Sequence, residues 1–372
     1  PSKIGGEVKD FSGPPESVML AHEAKKLDWF AQFAVAASAE AVKDCGIDFD
    51  TIDRNRCGVI VGSGIGGLQT LQEQHRRMLD KGPTKSSPFT VPRLMGNAAG
   101  AHIAILFGLG GPNFGCVTAC ASAAHSIGQA MRAIQNNEAD LIITGGSEAA
   151  LCEIGMSSFC ALKGLSTRND DPQHASRPWD ADRDGFLLAE GAGCITIEEL
   201  EFAKARGARI YAELIGYGAT CDASHITAPD PEGKGAVRAM EICLADAGLA
   251  PAELDYINAH GTSTQLGDRA EITAIKKVFG DHATNGLLVS STKSLTGHLL
   301  GASGGVEIIA CVKAIQEGIV PGTYNLNNPD EACEGMDLVP NAPRKKAIKT
   351  ALSNSFGFGG HNGCLIIRKY EE

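Results

Sequence analysis

The order in which short apolar runs and helical periodicities follow one another constrains this chain most. Runs such as Cys57–Val61, Leu141–Thr144, Cys194–Glu198, Leu254–Ala259 and Leu287–Ser291 are strand-length and bounded by glycine or polar residues. Between them, Leu27–Asp44, Asn97–Leu106, Gly235–Ala247, Asp268–Phe279 and Ser303–Glu317 carry apolar residues at helical spacing. This alternation predicts an α/β protein, a parallel or mixed sheet covered by helices. Further strands are expected at Asn113–Ala119, Ile210–Tyr217, Thr350–Ser355 and Cys364–Arg368. The 45 glycines cluster at the ends of the apolar runs, as tight strand-to-helix turns require. A chain of 372 residues exceeds one simple core, and a boundary is expected near Lys204–Ala208, giving halves 1–205 and 206–372. Similar element order in the two halves hints at duplication.

Several function classes fall away on composition. A formal charge of −11 without a long Lys/Arg run argues against nucleic acid as a partner. The longest nearly uncharged apolar stretch, around Ala101–Leu109, is far shorter than the roughly 20 residues of a membrane helix. Twelve cysteines are scattered without a CxxC pair, which points to a reducing compartment rather than a disulfide framework or a zinc site. No metal or cofactor is expected. The cytoplasm is the expected location. Plastid and mitochondrion stay open because the chain begins at Pro1-Ser2-Lys3 without an initiator Met.

The candidate chemistry starts at Cys120, in Cys116-Val-Thr-Ala-Cys120-Ala-Ser-Ala-Ala-His125. Ala124, Ile127, Met131 and Ile134 follow at helical spacing, so the thiol is placed between a strand end and a helix start. The helix dipole and free N–H groups there favour thiolate, the reactive form. A buried inert thiol is the commoner fate of a cysteine. His260 ends the run Leu254–Ala259, and His298 lies between the run Leu287–Ser291 and the helix Ser303–Glu317. Both are expected at strand ends on one edge of a sheet, where α/β folds bind ligands. Lys293 follows the same run as His298 and is open as a general base, a Schiff-base lysine or a fixed charge. The glycine-rich Phe356-Gly-Phe358-Gly-Gly-His361 joins two strands, as a hairpin turn or as a presenter of N–H groups to an oxyanion.

Gly62-Ser-Gly64-Ile-Gly66-Gly67 matches the dinucleotide pattern GxGxxG. That fingerprint also needs an acidic residue ending the next strand, and Asp80 ends a polar helix instead. The motif is expected to be a decoy, and the oxidoreductase it would imply ranks low.

Taken in order, Thr118-Ala-Cys120-Ala-Ser, Ser176-Arg-Pro-Trp179-Asp-Ala-Asp-Arg-Asp184-Gly-Phe, Asn258-Ala-His260-Gly-Thr-Ser-Thr264, Lys293-Ser-Leu-Thr-Gly-His298 and Asn354-Ser-Phe-Gly-Phe358-Gly-Gly resemble the elongating β-ketoacyl-[acyl-carrier-protein] synthases, the type II form more than type I. The resemblance covers nearly the whole chain. It implies a thiolase-like duplicated fold, two mixed sheets sandwiched between helices in layers, as a homodimer. By the same resemblance Cys120 accepts an acyl chain from acyl carrier protein (ACP). His260 and His298 serve the decarboxylation of malonyl-ACP, Lys293 supports the site, and Glu307 fixes that network. The backbone N–H groups of Cys120 and Phe358 would form an oxyanion hole. Thr262 and Thr264 would hold the pantetheine arm, Ile65, Phe159 and Phe358 would line the acyl pocket, and Lys25, Lys26, Lys85 and Lys163 would dock ACP. Substrates would arrive as acyl and malonyl thioesters on the ACP arm.

The family also has a strand and helix upstream of the position of Pro1, so the first half is expected to lack a strand central to its sheet. A ketosynthase of a polyketide-type pathway is the alternative, ranked lower because those carry a more serine-rich run after the cysteine than Ala121-Ser-Ala-Ala. A non-catalytic chain-length subunit is disfavoured by the presence of Cys120.

Overall fold

The computed structural model describes residues 1–371. The first sheet contains β1 (Cys57–Gly62), β2 (Asn113–Phe114), β3 (Leu141–Glu148) and β4 (Gly191–Glu198) in the order β2-β1-β3-β4. The second contains β5 (Glu213–Cys221), β6 (Tyr256–Asn258), β7 (Leu288–Ser290), β10 (Thr350–Gly357) and β11 (His361–Arg368); β8 (Ile319–Val320) and β9 (Arg344–Lys345) pair apart. Its order is β5-β11-β10-β6-β7. Reading it from β7, three parallel strands are followed by an antiparallel one, the same pattern as β2-β1-β3-β4. The duplication hinted at by element order is therefore present in the topology.

The longer helices are α1 (Trp29–Cys45), α2 (Leu68–Lys81), α3 (Ala98–Phe107), α4 (Ser122–Gln135), α5 (Glu153–Ala161), α6 (Lys234–Ala247), α7 (Gln265–Phe279) and α8 (Ser303–Glu317). Helices α4 and α8 lie between the sheets, where Ala124, Ile127, Met131, Ile308, Cys311 and Ile315 share a core with Tyr256 and Leu365. Helices α1 and α3 close the outer face of the first sheet through Phe30, Ala34 and Ile103. Helices α6 and α7 cover the second through Met240, Cys243, Ile272 and Ile275. The layers thus run helix, sheet, helix, sheet, helix, as the mixed thiolase-like sandwich expects. No helix among the described residues is long and apolar enough to cross a membrane.

Two expectations are corrected. The strand predicted over Asn113–Ala119 stops at Phe114, because the next N–H groups leave the ladder: Cys116 N–H donates to Ser126 Oγ and Thr118 N–H to Ser122 Oγ, both on α4. Nor has the first sheet room for another strand at its centre, since β1 and β3 pair in unbroken register. Its open place is the outer edge of β4, unpaired among the described residues. There a groove of about 1230 Å³ runs between β4 and the start of β5.

Candidate active site

The carboxyl ends of the parallel strands in both sheets converge on one cavity of about 800 Å³. After β2 the chain makes a tight turn at Ala119–Ala121 and enters α4, placing Cys120 on the cavity wall. Ala119 adopts a left-handed φ of 49°, a strained setting for a residue with a Cβ. The end of β10 abuts this turn so closely that a Cβ at Gly357 would sit 3.0 Å from the Cys120 nitrogen. His260 follows β6, Lys293 and His298 follow β7, and Phe358 follows β10.

One ligand-type atom from each of Cys120, His260 and His298 lies within 4.8 Å of the others, and all three residues are buried. The imidazole rings meet edge to face with centroids 5.3 Å apart. His298 Nδ1 is hydrogen-bonded to Ser303 Oγ at 3.0 Å. Its backbone is strapped by N–H donation to Leu187 O and by acceptance from Ala189 N–H. The backbone N–H groups of His260 and Gly261 donate to Glu271 at 2.8 and 2.7 Å. Lys293 forms a buried ion pair with Glu307.

Burial sets the protonation states. Both imidazoles are held well below the ordinary 6.5, first by desolvation and then by the charge of Lys293. They are neutral at physiological pH and offer N–H donors and a free lone pair. Desolvation pushes the Cys120 thiol up to about 12, although Lys293 and the backbone N–H groups of Phe358 and Cys120 oppose it. The helix-start preference for thiolate expected from the sequence is therefore outweighed in the resting site. Thiolate formation requires a proton acceptor, and the nearest candidates are the neutral imidazoles, each with a ring nitrogen within 4.8 Å of the sulfur.

Thr262, Thr264, Ile65, Phe159 and Phe358 line the same cavity. The two threonine hydroxyls are 3.0 Å apart. Phe159 packs edge to face on Phe186, which packs in turn on His298. Lys163 lies at the cavity mouth, whereas Lys25, Lys26 and Lys85 are exposed elsewhere on the surface.

Four consecutive N–H groups of the GxGxxG loop, which a pyrophosphate would need, are already committed. Gly64 and Ile65 donate to Glu148, Gly66 to Ser63 Oγ, and Gly67 to Leu94 O. Glu148, fully buried at the end of β3, also accepts from Ser63 Oγ and Gly301 N–H. It links the loop carrying Ile65 to the turn just after His298. Sequence reasoning missed Glu148, Glu271, Ser303 and Phe186. A signal existed for two of them: Glu271 falls on the apolar face of α7, and Glu148 closes an apolar strand.

The β-ketoacyl synthase N-terminal domain matches residues 2–203 and the C-terminal domain residues 211–327. The chain belongs to the β-ketoacyl synthase family. Within it, similarity runs to 3-oxoacyl-[acyl-carrier-protein] synthase 2 of Synechocystis sp., 51% identical over 99% of this chain and 88% of that protein. The protein of the same name from Coxiella burnetii is 49% identical over the same shares. Among solved structures, a β-ketoacyl synthase from Burkholderia phymatum superposes with a TM-score of 0.92 at 33% identity, covering 100% of this chain and 89% of that one. A type II polyketide ketosynthase, solved in complex with its acyl-carrier protein, gives 0.89 at 35% identity, covering 92% and 85%.

Proposed function

We propose that this protein is a 3-oxoacyl-ACP synthase of the type 2 class, an acyltransferase that extends acyl chains in fatty acid synthesis by decarboxylative condensation with malonyl-ACP. The observation that carries the reading is the buried triad, Cys120, His260 and His298, gathered within 4.8 Å on the wall of one cavity. Relatives about half identical over nearly the full chain favour it over the polyketide alternative.

In the first half-reaction the Cys120 thiol passes its proton to a neutral imidazole and attacks the acyl thioester. The pantetheine thiolate leaves and takes up the proton. Malonyl-ACP then enters and loses CO₂, and the electron pair left behind delocalises onto its thioester oxygen. Neutral N–H donors from His260 and His298 hold that charge. The carbanion attacks the Cys120 thioester, the new oxyanion rests on the N–H groups of Cys120 and Phe358, and its collapse expels the Cys120 thiolate, which takes a proton from solvent to restore the resting thiol. Burial keeps both imidazoles unprotonated, and Lys293, fixed by Glu307, adds a standing charge to that effect. The reaction requires no metal or cofactor.

Thr262 and Thr264 bind the pantetheine arm, while Ile65, Phe159 and Phe358 border the acyl pocket. ACP docks on Lys163 at the mouth, with Lys25, Lys26 and Lys85 on the surrounding surface. A homodimer forms along β2, an open sheet edge beside exposed Ile105, Phe114 and Val117.

Intact-protein mass measurement after incubation with acyl-ACP tests the central claim. One acyl mass is expected on the wild type, mapped to Cys120, and none on Cys120→Ser. An unmodified wild type would overturn it.

A further inference from the structure

The three groups that carry the chemistry are also a ligand set. One thiol and two imidazoles, drawn from segments far apart in sequence, present ligand atoms within 4.8 Å of one another. We propose that Cys120, His260 and His298 bind a thiophilic divalent cation of the Zn²⁺ type, which holds the enzyme inactive by occupying the nucleophile. The inference goes beyond the condensation reaction and stands on the donor geometry whether or not that reaction is the right one.

The exchange balances without redox chemistry: the cation displaces the Cys120 proton, a metal–sulfur bond replaces the S–H bond, and the proton leaves to solvent. One thiolate and two imidazoles with a fourth position for water is a familiar zinc donor pattern. No carboxylate joins the set, which disfavours the hard cations Mg²⁺ and Ca²⁺. Tetrahedral bonds of ordinary zinc length put neighbouring ligand atoms about 3.3–3.6 Å apart, so closure draws the three in by roughly 1 Å.

Two further observations point to a ligand here. His260, more than nine-tenths buried, has no hydrogen-bond partner at Nδ1, so no neighbour fixes its tautomer and the ring can present a lone pair to a metal. His298 is held through Nδ1 by Ser303, the outer support that metal-binding imidazoles carry, and its other ring nitrogen stays free to coordinate. The local charge also accommodates a cation. Among the described residues Lys293 is the one buried ammonium beside the triad, and it is paired with Glu307. Glu148, near Cys120, and Glu271, behind His260, are buried with only N–H and O–H donors as partners. Access is through the substrate cavity.

Titrating the full-length protein with Co²⁺ tests the site directly. A single equivalent is expected to give a thiolate-to-cobalt charge-transfer band with tetrahedral visible bands. The charge-transfer band disappears in Cys120→Ser. Ser303→Ala, which keeps every ligand, weakens binding by roughly 10–100-fold. Independently, Zn²⁺ should protect Cys120 of the wild type from alkylation in a peptide mass map, and EDTA should restore labelling. Absence of the band in the wild type, or its persistence in Cys120→Ser, overturns the proposal. So does undiminished labelling of Cys120 under saturating Zn²⁺. Neither measurement uses an acyl substrate, so failure here is distinguishable from failure of the condensation reading.

Discussion

Buried carboxyl groups hold the backbone and the charge around His260 and His298. Glu271 holds the backbone beside His260, Glu307 pins Lys293, and Glu148 ties the Ile65 loop to the turn after His298. Replacing Glu148 with Gln removes one acceptor oxygen and turns an NH₂ toward N–H groups that need an acceptor. The expected loss is about 1–3 kcal/mol, read by thermal or denaturant unfolding, with an altered acyl-length profile because Ile65 is released. His298→Ala should still acylate Cys120 while malonyl decarboxylation falls roughly 10²–10³-fold, as for loss of one oxyanion donor. The two half-reactions, assayed separately, check this.

The raised thiol makes a prediction of definite sign. A free cysteine titrates near 9.0, so its alkylation rate levels off above that pH, whereas Cys120 should keep gaining about tenfold per pH unit beyond it. A plateau below 9 would mean that burial does not govern this thiol. Cys120, His260 and His298, which the structure brings to one cavity, could be singled out in the sequence because short motifs surround them. The burial that reverses Cys120's resting protonation was not, since it arises from segments far away in the chain.

At the scale of elements, the site depends on how closely α8 can approach β4. Gly193 on β4 and Gly305 on α8 meet backbone to backbone, so a Cβ on either would strike the other residue's main chain. Helix α8 carries Ser303 and Glu307, the partners of His298 and Lys293. Gly305→Ala should therefore cost about 1–3 kcal/mol by overpacking and lower condensation activity more than a surface Gly→Ala change of equal stability. Unfolding midpoints and turnover measured together separate the two effects. Helix α8 was readable residue for residue from its periodicity, and most strands were readable as apolar runs. The run after Phe114 misled because serines on α4 take the N–H groups that a strand would use. Periodicity does not report such side-chain capture.

For the molecule as a whole, the exposed edge at β2 predicts assembly. Phe114→Asp should convert a dimer to monomer in sedimentation velocity while leaving the far-UV spectrum unchanged; a monomeric wild type would remove the dimer from the proposal. The alternation of elements foretold sheets covered by helices, whereas the order of the layers came only with the family resemblance. The open edge at β4 was not, because strand pairing is a property of three-dimensional neighbours rather than of any one run.

One feature of the cavity sets a timetable. Thr262, Thr264, Cys120, Ile65 and Phe159 border a single space, so on the proposed reading one pantetheine arm at a time can reach the sulfur. The first carrier must depart before the second arrives, and each carrier in excess should block the other's turn. Steady-state plots at fixed malonyl-ACP concentrations should give parallel lines, with inhibition appearing when either carrier crowds the doorway.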